Sequence, residues 1–266
     1  VHVSEPEAVK DLAYPIPTEA QALMECFWPG PLTLVLRKRD AVPDLVTAGL
    51  ATVGLRMPDH PVALDLLRQA TVPVCAPSAN PFGYVSPTTV HHVAHQLGTQ
   101  VDALLDGGPC RIGLESTIVS LAEERPILLR PGGTPLEPIE TLLGRRVVKP
   151  GRQTPAQAPG MFGRHYSPRS PVTTFAGTIP PPPSGRAGLM LLAPRIPPPG
   201  YALVEVLSPL GDLTEIASRL FAVLRAFDQA QLDWVLAELA PEQGLGAAIN
   251  DRLTRAAGSR PSGVPV

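Results

Sequence analysis

Residues 52–83 read TVGLRMPDHPVALDLLRQATVPVCAPSANPFG, and they set the fold class. Thr52–Arg56 has the length and composition of a β-strand, and His60–Ala70 places apolar residues at helical spacing. Val72–Ala76 is a short apolar run that predicts a buried strand, and the polar turn Pro77–Gly83 ends it. A strand, a helix and a second strand in succession are typical of an α/β protein.

The alternation of helices and strands continues on both sides of this stretch. In the first part of the chain the pattern predicts helices over 17–28 and 87–97, a short helix ending near Gly144, and strands over 32–36, 101–105, 117–121 and 127–129. Beyond residue 171 it predicts strands over 172–175, 189–192, 202–206 and 234–239 and helices over 213–227 and 247–257. This second part resembles a small β-α-β unit.

Between these two parts the composition changes to Pro, Gly and Gln with few aliphatic residues, which is typical of a linker. We therefore expect three segments, residues 1–148, 149–170 and 171–266. Residues 141–204 hold eight Lys or Arg and no Asp or Glu. Two interpretations stay open: the cations keep a flexible strap solvated, or the strap lies over an anionic ligand of the first domain.

The overall composition excludes several classes of protein. A hydrophobic fraction of 44% and a charged fraction of 17% predict a folded chain with a real core. The net charge of -2 gives no global reason to bind nucleic acid or an anionic membrane. Three cysteines without a CxxC pair argue against a disulfide framework or a zinc knuckle, and no apolar run approaches the 18 residues of a membrane span. We expect a soluble protein of the reducing cytoplasm.

Polar residues at predicted strand ends are the candidates for chemistry. Ser78 and Asn80 follow a predicted strand, Ser116 starts another, and Arg56 and Arg130 end two more. A guanidinium at the end of a buried strand can bind a carboxylate or phosphate, and two of them suggest two anionic groups in one crevice. The alternative is that the serines and Asn80 form ordinary turns and the arginines are surface charges.

Five short motifs follow one another along the chain: Phe27–Thr33, Gly54–Pro58, Ala76–Asn80, Glu115–Val119 and Leu129–Gly132. In this order they resemble the YrdC-like domain of L-threonylcarbamoyladenylate synthases. The match covers residues 1 to about 148, and residues 159–168 and 244–253 resemble the linker and the C-terminal domain of the two-domain form. The resemblance implies a twisted mixed sheet with flanking helices, followed by a smaller Rossmann-like α/β domain.

The resemblance also implies an activity. Members of this family join L-threonine, bicarbonate and ATP into threonylcarbamoyl-AMP with release of pyrophosphate, and a partner complex then transfers the threonylcarbamoyl group to the adenosine beside the anticodon of tRNA. Mg2+ would be held mainly by phosphates and water. No covalent nucleophile is expected, because the enzyme chiefly orients a labile carbamate.

Site residues carried over from the family fall into two groups. By resemblance, L-threonine would be bound by Arg56, the backbone of Ala76 and the hydroxyl of Ser116. ATP would be contacted by Thr52, Ser78, Ser86 and Arg130, with Asn80 supporting the Ser78 turn and Tyr166 closing over the nucleotide.

The start of the chain departs from the family pattern. Members normally begin with a strand carrying a Pro-Thr-Glu-Thr-like segment and a Lys-x-Arg motif, whereas this chain opens at Val1-His2-Val3. The expectation is little or no turnover by the 266-residue chain and turnover by a version extended upstream. Two other functions stay open: a related carbamoyl-adenylate-dependent transferase that uses another acceptor, and an RNA-binding module without catalysis.

Overall fold

The computed structural model describes residues 1–149 and 165–258. These residues divide into two compact units: unit 1 comprises 1–77 and 115–149, and unit 2 comprises 78–114 and 165–258. The predicted division into 1–148, 149–170 and 171–266 differs from this grouping in residues 78–114. Most of the predicted linker lies outside the described residues.

The regular elements are numbered along the chain. The strands are β1 (Leu32–Arg37), β2 (Thr52–Leu55), β3 (Thr117–Ser120), β4 (Ile127–Arg130), β5 (Val172–Phe175), β6 (Ala187–Leu191), β7 (Leu203–Val206) and β8 (Trp234–Glu238). The helices are α1 (Val9–Leu12), α2 (Thr18–Phe27), α3 (Asp44–Thr47), α4 (Pro61–Ala70), α5 (Val90–Leu97), α6 (Leu136–Leu143), α7 (Leu213–Gln229) and α8 (Gly246–Ala257), with short 3-10 turns at Pro6–Ala8 and Gly98–Gln100.

Unit 1 is built on a mixed four-stranded sheet in the order β2-β1-β3-β4. Strand β1 runs parallel to β3 and antiparallel to β2, and β3 runs antiparallel to β4. The carboxyl ends of β2 and β4 therefore lie at the same end of the sheet as the amino ends of β1 and β3. This arrangement brings the residues at four strand termini together, and it confirms the expected mixed sheet.

One face of this sheet forms the core of unit 1. Alternate residues of a strand point to opposite faces, so one set of apolar side chains packs against α2 and α6. The buried strand residues of this set include Leu32, Leu34, Leu36, Val53, Leu55 and Val119. Helix α2 ends at Phe27 because Trp28 precedes Pro29, and a residue before proline is disfavoured in helical conformation.

Unit 2 contains a fully parallel sheet in the order β5-β8-β6-β7, with α7 and α8 in its core. All five residues of the inner strand β6 are buried, as expected for a parallel strand covered on both faces. Asp212 caps α7 by accepting hydrogen bonds from the backbone N–H groups of Thr214 and Glu215 at 2.8 and 2.9 Å. This confirms the expected second, Rossmann-like α/β domain, but unit 2 is not the smaller of the two units, because it also includes residues 78–114.

Two predicted strands are wrong. Within residues 72–76 only Val74 pairs, through a single bridge to His2, and Pro73 has no N–H to extend the ladder. Residues 101–105 form no strand, and Leu104 and Leu105 are exposed. An apolar run forms a strand only where a partner strand is available to pair with it.

Among the described helices, none has the length and apolar character needed to cross a bilayer.

Candidate functional site

Arg56 follows β2 directly and is tied to the turn that precedes β1. Its Nε donates a hydrogen bond to the carbonyl oxygen of Gly30 at 2.8 Å, and the Gly30 N–H donates to the carbonyl oxygen of Met57 at 2.9 Å. A Cβ on Gly30 would lie 2.3 Å from the carbonyl oxygen of Phe27. The turn therefore requires glycine here, and the turn orients the Arg56 guanidinium at this end of the sheet.

Arg130 ends β4 and reaches the start of β3. Its Nε and Nη2 donate to the carbonyl oxygen of Ser116 at 3.2 and 3.0 Å, and Nη2 also lies 3.3 Å from Ser116 Oγ. Both residues are buried, with 7% of Arg130 and 6% of Ser116 exposed. A buried guanidinium is stable only when its N–H groups have acceptors, and Ser116 supplies two of them.

An irregularity in β4 directs the Arg130 side chain to this position. Ile118 pairs with Arg130, whereas Val119 pairs with Leu128, so Leu129 is an extra residue in the ladder. Paired residues point to the same face. The bulge therefore places Arg130 on the face of Ile118 and Ser116 while Leu128 stays in the core packed on the helices.

Thr33 of β1 lies on the same face and was missed as a site residue by the sequence reasoning. Its Oγ1 is 2.7 Å from Ser116 Oγ, and it pairs with Ile118 across the parallel ladder. Continuing the β1–β2 register one step beyond Leu34 and Leu55 sets Thr33 opposite Arg56. In β1, Thr33 is a polar residue between two buried leucines, so it points to the face opposite the leucines; this pattern could have indicated a site residue.

We call Arg56, Thr33, Ser116 and Arg130 the polar cluster. It joins two cations and two hydroxyls on one face, at one end of the unit 1 sheet. Three of its members were predicted site residues: Ser116 and Arg130 are in direct contact, and the β1–β2 register places Arg56 at the same end of the sheet. Such a set can bind a carboxylate or another anionic group with oxygen acceptors.

Glycine is also required beside Ser116. A Cβ on Gly132 would lie 2.3 Å from the carbonyl carbon of Ser116 and 2.4 Å from the carbonyl oxygen of Glu115. The Gly133 N–H donates to that Glu115 oxygen at 2.9 Å. The turn after β4 therefore packs directly on the backbone that carries Ser116.

His2 adds a titratable group beside Arg56. Single bridges pair His2 with Arg56 on one side and with Val74 on the other. Burial, and then the positive charge of Arg56, lower the pKa of His2 from 6.5 to about 4. His2 is therefore neutral at pH 7 and adds no positive charge next to the arginine.

Two further predicted residues of unit 1, Thr52 and Ala76, form no hydrogen bond with the polar cluster among the described residues. Thr52 starts β2 and pairs with Arg37, so it lies at the opposite end of the strand from Arg56, roughly 13 Å along it. The structure does not bring Thr52 to the polar cluster. Ala76 is exposed and follows Val74 by two residues.

Unit 2 holds the other predicted residues, beginning with a compact turn at Ser78. The Asn80 N–H donates to the carbonyl oxygen of Ser78 at 3.0 Å. The Asn80 side-chain amide donates to the carbonyl oxygens of Pro81 at 2.9 Å and Tyr84 at 3.2 Å. Asn80 thus holds this turn closed, and the Ser78 side chain is exposed.

Arg225 of α7 orders the segment after this turn and was also missed. It donates from Nη2 to the carbonyl oxygen of Val85, from Nε to that of Ser86 at 3.4 Å, and from Nη2 to Gln96 Oε1 at 2.9 Å. Its guanidinium lies 5.3 Å from the centre of the Tyr84 ring. Burial lowers the pKa of Arg225. Arg225 is 139 positions from Ser86 along the chain, so no local sequence pattern around Ser86 could predict their contact.

Tyr84 and Tyr166 are both packed into unit 2. Tyr84 Oη donates to Asp228 at 2.6 Å, and burial together with this hydrogen bond raises the pKa of Tyr84 to about 12. Tyr166 is 1% exposed, and its ring stacks on Phe221 with the ring centres 5.5 Å apart. The backbone of Tyr166 has a φ of 61°, in the left-handed region. Contact between Tyr166 and a nucleotide stays a prediction, and it would require the ring to leave this position.

Two open grooves on the described surface of unit 1 contain none of the predicted site residues. One of about 310 Å³ is lined by α1, α2 and the chain around them, and one of about 740 Å³ lies between residues 10–14 and 38–41. In residues 1–149 and 165–258 no three His, Cys, Asp or Glu side chains are grouped to hold a metal ion. Neither groove contains a member of the polar cluster.

Two family models match consecutive parts of the chain. The model described as "Telomere recombination" matches residues 1–132, and the model described as "Threonylcarbamoyl-AMP synthase, C-terminal domain" matches residues 134–258. Together they extend over both units.

Curated relatives and a solved structure resemble nearly the whole chain. A threonylcarbamoyl-AMP synthase of Pyrococcus abyssi is 42% identical over 98% of this chain and 80% of the relative, and one of Bacillus subtilis is 40% identical over 98% and 79%. A crystal structure of P. abyssi Sua5 complexed with L-threonine superposes with a TM-score of 0.87 at 38% identity, over 96% of this chain and 78% of that one.

Proposed function

Because this chain belongs to the threonylcarbamoyl-AMP synthase family, we propose that it joins L-threonine, bicarbonate and ATP into threonylcarbamoyl-AMP and releases pyrophosphate. The single observation that carries the proposal is the polar cluster, in which two arginines and two hydroxyls share one end of a sheet face. The P. abyssi protein that superposes on this chain was crystallised with L-threonine.

The reaction needs orientation more than covalent catalysis. The neutral amine of threonine adds to bicarbonate and forms a carbamate and water. A carbamate oxygen then attacks the α-phosphorus of ATP, the bond from that phosphorus to the bridging oxygen breaks, and pyrophosphate leaves. Holding a labile carbamate in line with the α-phosphorus can lower the barrier by several kcal/mol.

In this proposal Arg56 pairs with the carboxylate of L-threonine. Its Nε bond to Gly30 fixes the plane of the guanidinium, which favours a defined geometry for the bound carboxylate. The neutral state of His2 leaves Arg56 to supply the positive charge at this position. The Ser116 hydroxyl then completes the pocket, and Arg130 holds Ser116 in place.

ATP would enter with its Mg2+, held mainly by the phosphates and water. The described residues include no cluster of carboxylates or histidines that could hold a metal ion without the phosphates and water. The proposal also includes the use of bicarbonate, transfer of the product to tRNA by a partner complex, and contacts of ATP with Thr52, Ser78, Asn80, Ser86, Arg130 and Tyr166.

Calorimetry with L-threonine tests the binding part of this proposal. An assay of pyrophosphate release decides between the proposed activity and the expectation, drawn from the sequence, of little or no turnover by the 266-residue chain. We expect L-threonine to bind the wild-type chain, and Arg56→Gln to weaken binding at least tenfold, because a charge-assisted hydrogen bond contributes about 1.5–3 kcal/mol. The matched control is Arg37→Gln. Arg37 is an exposed arginine at the opposite end of the same sheet, and its replacement should leave binding unchanged.

Three results would overturn the proposal. Absence of L-threonine binding would remove its basis. ATP consumption that needs carbamoyl phosphate instead of L-threonine and bicarbonate would favour the related transferase. Salt-sensitive RNA binding that survives Arg56→Gln, with no affinity for nucleotide, would favour an RNA-binding module.

A further inference from the structure

Within the polar cluster, Thr33 is joined to Ser116 by one short hydrogen bond, and the proposed chemistry assigns Thr33 no contact with substrate. The Thr33 Oγ1 to Ser116 Oγ distance is 2.7 Å, and either atom can be the donor. Arg130 Nη2 approaches the same Ser116 oxygen at 3.3 Å, and a guanidinium can only donate. The distances alone therefore do not determine which of the two hydroxyls, that of Thr33 or that of Ser116, donates the hydrogen bond between them.

The proposed ligand decides this direction. A serine hydroxyl has one proton and two acceptor positions, and a carboxylate accepts hydrogen bonds without donating any. If Ser116 contacts the carboxylate of L-threonine, its only proton must point to the ligand. Ser116 then accepts from Thr33 and from Arg130, which fills both acceptor positions.

We infer that Thr33 is a positioning residue, whose hydroxyl donates to Ser116 and thereby holds Ser116 as a donor to the amino-acid substrate. This inference rests on the proposed function. Thr33 does not touch the ligand itself in this arrangement. It acts through Ser116, and its side-chain geometry determines where the Ser116 proton points.

The surroundings of Thr33 favour one orientation of its side chain. Threonine is branched at Cβ, which restricts its first side-chain torsion. Gly54 on the neighbouring strand is close, because a Cβ added there would lie 3.3 Å from Thr33 Cγ2. The methyl group thus occupies the space on the β2 side, and the hydroxyl is directed to the β3 side, where Ser116 lies.

Replacements at Thr33 test the inference. Thr33→Val keeps the shape and removes the hydroxyl, so we expect about a fivefold weaker affinity for L-threonine, the value of one ordinary hydrogen bond. The KM for ATP should stay unchanged. Thr33→Ser keeps the hydroxyl and should restore affinity. The matched control is Ser120→Ala, which removes a hydroxyl from the same face at the other end of β3 and should bind L-threonine like the wild type.

A double-mutant cycle separates action through Ser116 from a general effect on structure. In the Ser116→Ala background, Thr33→Val should cause no further loss of L-threonine affinity. An additional loss of the full fivefold in that background would overturn the inference, as would equal affinity of Thr33→Val and wild type. If Thr33→Val does not fold, as judged by thermal unfolding, Thr33→Ala provides the hydroxyl-free variant. Failure of the wild type to bind L-threonine would instead refute the proposed function.

Discussion

Arg130 donates two hydrogen bonds to one carbonyl oxygen of Ser116, from Nε at 3.2 Å and from Nη2 at 3.0 Å. The contact joins the last residue of β4 to the residue that precedes β3, 14 positions earlier. Because the guanidinium is buried, it also fixes the backbone that presents the Ser116 hydroxyl. Stability of unit 1 and geometry of the candidate site therefore depend on the same side chain.

Arg130→Lys should lower the free energy of unfolding by about 2 kcal/mol, because a lysine ammonium cannot reproduce two N–H groups of a planar fork and remains buried. Urea denaturation measures this loss as a lower midpoint concentration, while the slope of the free energy of unfolding against urea concentration should stay unchanged. Arg37→Lys, at an exposed arginine, is the control and should stay within about 0.5 kcal/mol of wild type. Equal midpoints for Arg130→Lys and wild type would show that the buried contact does not stabilise the fold.

Two glycines beside the polar cluster should differ in their tolerance of a methyl group. Gly132→Ala places Cβ 2.3 Å from the Ser116 backbone, so the strand start must shift and L-threonine binding should be lost. Gly54→Ala places Cβ 3.3 Å from the Thr33 methyl and, in ordinary contact, 3.8 Å from a Val35 methyl, so a loss of a few-fold is expected. Calorimetry on both variants gives the ranking, and a Gly54→Ala effect as large as that of Gly132→Ala would contradict it.

Local patterns predicted most regular elements of this fold. Strand β1 and helix α7 have the spacing of apolar residues and the flanking turn or cap residues that specify their type. Residues 72–76 and 101–105 are as apolar as a strand, but pairing depends on a distant partner, which no local pattern encodes. The grouping of residues 78–114 with unit 2 likewise depends on contacts distant in sequence, such as those of Arg225.

The candidate site was predictable only in part. Strand-end position and the motifs identified Arg56, Ser116 and Arg130, and the antiparallel pairing of β2 and β4 with their neighbours explains why they lie at the same end of the sheet. The bulge at Leu129, which turns Arg130 to the correct face, depends on ladder register and leaves no residue signature. Thr33 was missed because a single hydroxyl in an apolar strand is common.

Arg225→Lys should loosen the segment after the Ser78 turn without unfolding unit 2. Lysine cannot bridge the carbonyl oxygens of Val85 and Ser86 and the side chain of Gln96 together. We expect amide hydrogen exchange within residues 84–97 to rise about tenfold or more. Arg219→Lys is the control, since Arg219 lies on the same helix but donates to Val206 and Leu207. Unchanged exchange in residues 84–97 would exclude this role for Arg225.

His2 should make the stability of unit 1 depend on pH in the mildly acidic range. Burial and the charge of Arg56 lower the pKa of His2 from 6.5 to about 4 in the folded chain. Between these two values the unfolded chain binds more protons than the folded chain, so the free energy of unfolding falls as the pH is lowered. The loss begins near pH 6.5 and levels off below about 4.

His2→Gln removes this titration. Between pH 7 and pH 4.5 the free energy of unfolding should therefore fall by about 2 kcal/mol less in His2→Gln than in the wild type. Urea midpoints of both proteins in the same buffers measure the difference. The interval from pH 7 to pH 8 is the internal control, because His2 is largely neutral there in the folded and the unfolded chain and the two curves should run nearly parallel. Parallel curves down to pH 4.5 would mean that burial beside Arg56 does not hold His2 in its neutral form.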